Sequence, residues 1–220
     1  MNKLFDNEGP LMSFLSKLAD LVWLNILTII FCIPIITAGA SLTAMYTVTI
    51  KMVNKEEGYI ARNFFNAFKK NLKQATIIWI GVLFASILFY GDYRIVTYSG
   101  IAFPKALPIA LTAVLLLMYC TYLYVFPVLS RYDNTIKNTI KNSFLLSISN
   151  LPKTLLIIAI HLILPVAVYF SQALLPIMFL MGLTLPAYAS SMLFAGIFKK
   201  LEEKMEEDKE GQTSEHESDK

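Results

Sequence analysis

Few side chains in this sequence could do chemistry, and most of them lie inside apolar runs. The chain has 2 His and 2 Cys. Cys32 and Cys120 stand in separate apolar segments without CxxC spacing, which favours two buried thiols over a metal site or a disulfide. The sequence lacks the glycine-rich, zinc-protease and Ser-His-Asp patterns that mark common catalytic sites. We therefore expect no enzymatic activity, no catalytic residue, no metal and no cofactor.

Three polar residues, Asp20, Asn25 and His161, lie at the edge of an apolar run or within one. A polar group inside a bilayer is costly, so it marks either a functional site or a hydrogen bond between helices. Asn25 would lie about 7.5 Å deeper than Asp20 on a helix. A proton relay through His161 would need a second buried titratable partner, and the sequence offers none near the centre of another run. We favour a structural role for all three.

The strongest pattern is a basic amphipathic helix predicted near residues 59–75. On a helical projection its aromatic residues share one face and its cations gather on the opposite face. The aromatic residues are Phe64, Phe65 and Phe68, and the cations, called the cationic strip below, are Arg62, Lys69, Lys70 and Lys73. Two roles stay open for this helix. It could rest on anionic lipid headgroups, or it could bind a partner through a hydrophobic anchor flanked by cations.

Composition indicates the class of protein around these residues. Of 220 residues, 56% are hydrophobic and 16% are charged, and the mean hydropathy is +0.57. Soluble domains carry about 25% charged residues. We therefore predict an all-α, polytopic membrane protein with a single domain over residues 1–200. Residues 201–220 hold nine acidic residues and three lysines, a net charge of −6, and are predicted to form a disordered tail.

The charge of the remaining chain bears on its partners. Since the whole chain carries +3, residues 1–200 carry +9. A basic body on a membrane protein suits anionic lipid headgroups, and we expect no nucleic acid partner.

Apolar runs predict about five transmembrane helices and a second cytoplasmic amphipathic helix near residues 133–151. The five spans are placed near residues 18–36, 76–93, 106–129, 155–170 and 174–198. Pro34 and Gly39 should break the helix near the end of the first span, so that residues 40–53 form a second helix leading out to the cytoplasmic side. Two places stay open for this helix, one embedded in the membrane and one in the cytoplasm. Pro186 should kink the fifth span.

The distribution of cations predicts the orientation. Segments before, between and after the five spans carry 2, 6, 2, 4, 0 and 5 Lys and Arg residues in chain order. Because cytoplasmic segments carry the excess of Lys and Arg, the alternation places the N-terminus outside and the C-terminus in the cytoplasm. Both amphipathic helices then lie on the cytoplasmic side.

An ordered set of short motifs is similar to the YesL-like family of bacterial integral membrane proteins. The motifs are Asp20 with Leu24-Asn25, the run from Pro34 through Thr37 to Gly39, Phe64-Phe65 with Phe68-Lys69, Phe126-Pro127, Asn134-Thr135, and Lys141-Asn142-Ser143 before Leu151-Pro152. The resemblance covers roughly residues 3–200 and leaves out the acidic tail. It implies a domain of unknown function, often encoded beside carbohydrate ABC importers, and a multi-pass protein of the bacterial plasma membrane. It transfers no catalytic residue.

Two classes of function follow. The first is a non-enzymatic accessory or scaffold protein, for which the resemblance implies a carbohydrate ABC importer or a sensor subunit as partner. The second is a small transporter or channel acting on its own. A transporter should line a path with polar residues from several spans, often beside broken helices. The predicted breaks are present, but few polar residues accompany them.

Overall fold

The computed structural model describes residues 10–56, 58–98, 104 and 106–218, with side chains described up to Glu207. Within these ranges the secondary structure consists of α-helices and two short 3-10 turns. The helices are α1 Pro10–Cys32, α2 Ala38–Val53, α3 Ile60–Tyr98, α4 Ala106–Arg131, α5 Ile136–Ser149, α6 Leu151–Phe170, α7 Leu175–Met181 and α8 Thr184–Ser218.

The number of long apolar helices confirms the predicted fold class. In the described ranges α1, α3, α4 and α6 are each long and apolar enough to cross a membrane. A fifth crossing is available if α7 and α8, which meet at a bend of 61°, together form one broken span. The chain is an all-α protein with four or five candidate membrane spans.

Helix α2 lies at the centre of the molecule. It packs against α1, α3, α4 and α8, and eleven of its sixteen residues are buried. Its first half is rich in small residues, which let neighbouring backbones approach closely. These are Ala38, Gly39, Ala40, Ser41 and Ala44. The second helix predicted after the break at Pro34 is therefore present, and its small residues account for its close packing against four neighbours.

The predicted amphipathic helix near residues 59–75 and the predicted span near 76–93 are one continuous helix. Helix α3 runs for 39 residues, a length of about 58 Å. Its buried residues all lie between Phe64 and Ile78. At Ala75 the side chains change from charged to apolar, but the helical backbone continues without a break. The cationic strip therefore extends from a span along the same axis.

Burial on α4 and α6 is also confined to one end. The buried residues of α4 begin at Cys120 and those of α6 are Thr154 and Ile157, close to the α5–α6 junction. The core thus gathers around α2, while the rest of α3, α4 and α6 presents apolar side chains outward. Exposed Phe84 and Ile109 are examples. Such surfaces suit hydrocarbon surroundings, where Leu, Ile and Phe are favoured.

The break near the fifth predicted span lies at Gly182 and Leu183, not at Pro186. Pro186 falls in the first turn of α8, where a missing N–H breaks no hydrogen bond. Gly182 fits the bend because a Cβ atom there would collide with the carbonyl oxygen of Met178. The proline was the more visible signal in the sequence, but the glycine marks the break.

The acidic tail differs from expectation, since α8 continues as a helix through Ser218. Strong helix formers fill the segment after Phe198, and Lys and Glu recur there at helical spacing. Lys199 Nζ lies 3.9 Å from Glu203 Oε1, an i,i+4 pair. Propensity and local charge pairing account for the helix although few apolar residues are present.

Candidate functional site

The predicted hydrophobic anchor is part of the core. Phe64 is fully buried and Phe68 is nearly so, while Phe65 is half-buried. All three rings pack around Phe31 of α1, with ring centroids 5.8, 5.4 and 4.9 Å away for Phe64, Phe65 and Phe68. This corrects the expectation that Phe64 and Phe68 offer a surface to a partner. The amphipathic pattern was correct, but α1 and α2 cover its apolar face.

The cationic strip is exposed along its whole length. Lys70 Nζ contacts both carboxylate oxygens of Asp133, at 2.8 and 2.9 Å, in the segment between α4 and α5. One turn further, Gln74 Nε2 donates to the carbonyl oxygen of Asn134 at 2.7 Å. Among the described ion pairs none involves the other cations of the strip, so three positive charges face solvent or headgroups. They are Arg62, Lys69 and Lys73.

Asn25 closes the break between α7 and α8. Its Nδ2 donates to the carbonyl oxygen of Phe179 at 2.9 Å, and its Oδ1 accepts from the backbone N–H groups of Leu183 and Thr184 at 3.1 and 3.3 Å. Thr184 Oγ1 in turn donates to the carbonyl oxygen of Leu21 at 2.9 Å. One buried amide thus satisfies three backbone groups that the bend leaves without helical partners. Asp20, half-buried, is on the same helix, one turn before Leu24.

His161 joins α6 to the central helix. Its Nε2 lies 3.3 Å from the hydroxyl of Tyr46 on α2, and its Nδ1 lies 2.9 Å from the carbonyl oxygen of Ile157. Both ring nitrogens therefore have partners within the helical bundle. The arrangement is a contact between helices. Asp20, Asn25 and His161 are on different contacts and do not form one site.

The break between α1 and α2 is also closed by the protein itself. Thr37 Oγ1 lies 2.8 Å from the carbonyl oxygen of Phe31 and 2.9 Å from that of Pro34. The indole Nε1 of Trp79 donates to the carbonyl oxygen of Ile35 at 2.8 Å. Ser41 Oγ donates to the carbonyl oxygen of Thr28 at 2.9 Å. Side chains of the protein thus bind four backbone carbonyl oxygens at or near this break.

One cluster at the end of α4 was not predicted. The Arg131 guanidinium contacts Glu202 of α8 through Nε and Nη2, at 2.9 and 3.1 Å, and the hydroxyl of Tyr132 donates to the same carboxylate at 3.2 Å. Burial and the neighbouring Glu202 carboxylate raise the pKa of Tyr132. The cluster ties α8 to the α4–α5 segment. Only the charge excess of the tail hinted at such pairing in the sequence.

Helix α5 faces its neighbours with its polar side. Thr139, Ser143 and Ser147 are buried, whereas Ile140 and Phe144 are 43% and 39% exposed. Small hydroxyl residues at i, i+4 and i+8 permit close packing on α4, and two of these hydroxyls donate within their own helix. The spacing of four residues between these hydroxyl side chains is visible in the sequence and could have predicted the buried face of α5.

The described part of the chain contains no cluster of three or more His, Cys, Asp or Glu that could hold a metal ion. Buried Tyr46 and half-buried His161 contact each other between α2 and α6. The cationic strip places four exposed positive side chains on one helix.

Comparison with known proteins agrees with the motifs. A family model described as "Protein of unknown function, DUF624" matches residues 21–93. The chain is similar to a Bacillus subtilis (strain 168) protein described as "Uncharacterized protein YesL", with 27% identity over 150 residues that cover 66% of this chain and 70% of that protein. No solved structure matches the chain at a significant level. The two matches confirm that this chain resembles the YesL-like family of proteins of unknown function.

Proposed function

We propose that the protein is a non-enzymatic accessory or scaffold protein of the bacterial plasma membrane that holds a partner at the cytoplasmic face. The observation that carries the proposal is the exposed cationic strip, projecting from a span on the rigid helix α3. Arg62, Lys69 and Lys73 have no carboxylate partner among the described ion pairs, so their charge is available to a partner or to headgroups. The buried phenylalanines hold the strip in place and are not the contact surface.

The link to sugar use rests on the resemblance alone. Relatives of this kind are often encoded beside carbohydrate importers, so the partner class we propose is a carbohydrate ABC importer or a sensor subunit. The proposed orientation has the N-terminus outside and the C-terminus in the cytoplasm, because the Lys and Arg counts alternate across five spans.

Independent transport is the weaker candidate. In transporters, the unwound backbone of broken helices binds substrates and ions. In this chain the side chains of Asn25, Thr37 and Trp79 form hydrogen bonds with backbone groups at the two breaks. A ligand would have to displace these hydrogen bonds. This supports a bundle that acts through its surface.

The test is crosslinking in native membranes from a photoreactive residue at exposed Asn66, one helical turn before Lys69 on α3. We expect an importer or sensor subunit to be captured and then lost in a Lys69→Glu/Lys73→Glu variant. Lys200→Glu/Lys204→Glu is the matched control, because it reverses two exposed cations on α8 and should leave capture intact. Sugar uptake by the purified protein in liposomes without a partner would overturn the proposal and favour the transporter.

A further inference from the structure

A large open groove lies between α3, α4 and α5. Its volume is about 1240 Å³, above the range of about 300–1,000 Å³ typical of small-molecule sites. The walls are almost entirely apolar and include Gly81 and Ala85 of α3 with Leu115, Met118 and Tyr122 of α4. Both α3 and α4 are candidate membrane spans, so the groove opens where lipid acyl chains would lie. Its shape and lining suit a long flexible apolar chain.

The α5 side of the groove adds two cations to this apolar surface. Ile140 and Phe144 line it, and Lys137 and Lys141 stand beside them, one helical turn apart. Both lysines are exposed, and the described ion pairs involve neither. A helix with exposed apolar residues next to lysines is typical of a membrane interface, where ammonium groups meet anionic headgroups.

We propose that this groove binds one anionic glycerophospholipid. An acyl chain lies between α3 and α4, and the headgroup phosphate lies at Lys137 and Lys141. The positive charge of the two lysines matches the negative charge of the headgroup phosphate, and the apolar walls match the apolar acyl chain. The site is separate from the cationic strip, whose exposed cations Arg62, Lys69 and Lys73 do not line the groove.

Selectivity for the headgroup should be measurable. A lysine near a membrane surface favours anionic lipid by about fivefold, so two lysines acting together favour it by up to about 30-fold over a zwitterionic lipid. The apolar walls should not distinguish between the two lipids because their acyl chains are alike.

Trp79 is a built-in reporter because it lines the groove. The chain has 2 Trp, so a Trp23→Phe variant leaves Trp79 as the single indole. This protein is reconstituted into phosphatidylcholine vesicles with a small fraction of acyl-brominated phosphatidylglycerol or, separately, acyl-brominated phosphatidylcholine. We expect several-fold stronger quenching by the brominated phosphatidylglycerol. Equal quenching by the two lipids would overturn the proposal.

Two charge variants locate the preference. Lys137→Gln/Lys141→Gln should remove it, whereas Lys69→Gln/Lys73→Gln, which removes the same charge from α3, should keep it. Loss of the preference in the second variant, or its persistence in the first, would assign it to the strip and overturn the proposal. A disulfide between two copies carrying Phe144→Cys, with no lipid preference, would identify a second copy as the occupant and would also overturn it.

A pair of glycine variants tests the acyl-chain position. A Cβ atom on either Gly81 or Gly91 of α3 meets nothing within 4 Å, so both sites accept a side chain without a clash. Gly81 lines the groove and Gly91 does not. Gly81→Leu should therefore reduce Trp79 quenching by brominated phosphatidylglycerol several-fold, while Gly91→Leu should leave it unchanged. The same quenching in both variants would contradict the placement of the chain.

Discussion

Gly39 of α2 lies directly against the backbone of Ala75 on α3. A Cβ atom built on Gly39 would stand 2.6 Å from the carbonyl oxygen of Ala75 and 2.6 Å from the Cβ atom of Trp79. Real Cβ atoms essentially never approach other atoms this closely. The contact sets the distance between the central helix and the long helix that carries both the cationic strip and one wall of the groove.

Gly39→Ala should therefore destabilise the protein. The new methyl group meets backbone and cannot be relieved by a side-chain rotation, and overpacking of this kind costs about 1–3 kcal/mol. Heat unfolding of the purified protein in detergent, followed by the reactivity of the buried Cys120 thiol, measures the change. Gly91→Ala is the matched control, because its site is open and alanine favours a helix over glycine by about 1 kcal/mol. Equal unfolding temperatures for the two variants would show that α2 and α3 are not in such close contact.

Asn25→Leu should weaken the junction of α7 and α8. Leucine fills a similar volume but leaves the N–H groups of Leu183 and Thr184 without their acceptor. An unsatisfied buried polar group costs about 1–3 kcal/mol, so we expect a clear loss of stability in the same unfolding assay. Thr112→Val removes a hydrogen bond of 2.8 Å to Pro108 on the exposed side of α4 and should change stability by less than about 0.5 kcal/mol. If the two variants unfolded alike, Asn25 would not hold the break.

The sequence predicted the kinds of contact better than their partners. Asn25 and His161 stood out because polar residues inside apolar runs need hydrogen bonds, and each has them in the structure. The partner of Asn25 could not be predicted, since it depends on the bend at Gly182, and a glycine in an apolar run has many roles. The kink predicted at Pro186 was wrong because Pro186 lies in the first turn of α8, where proline is accommodated without distortion.

Helical periodicity has the same limit. It placed Phe64 and Phe68 on one face of α3, and that face is apolar as predicted, but periodicity does not say what covers a face. Coverage depends on α2, which directly precedes α3, and on α1, which lies beyond the break after Cys32. For α5 the more regular signal was the hydroxyl stripe of Thr139 and Ser143, which packs inward while the apolar residues remain exposed. In a soluble protein the apolar face of a helix is normally the buried face. Next to a membrane this need not hold, because lipid is as apolar as a leucine side chain.

The orientation across the membrane can be tested with single cysteines in a version that lacks Cys32 and Cys120. From the alternating Lys and Arg counts we predict that residues 69 and 138 lie in the cytoplasm and that the segment between α6 and α7 lies outside. Lys69, Asn138 and Ser171 are all exposed, so burial does not limit their labelling. In intact cells a membrane-impermeant thiol reagent should label Ser171→Cys and leave Lys69→Cys and Asn138→Cys unlabelled. After the cells are opened all three should react. Labelling of position 69 or 138 from outside would reverse the proposed topology, and with it the face at which α3 and α5 could meet a cytoplasmic partner.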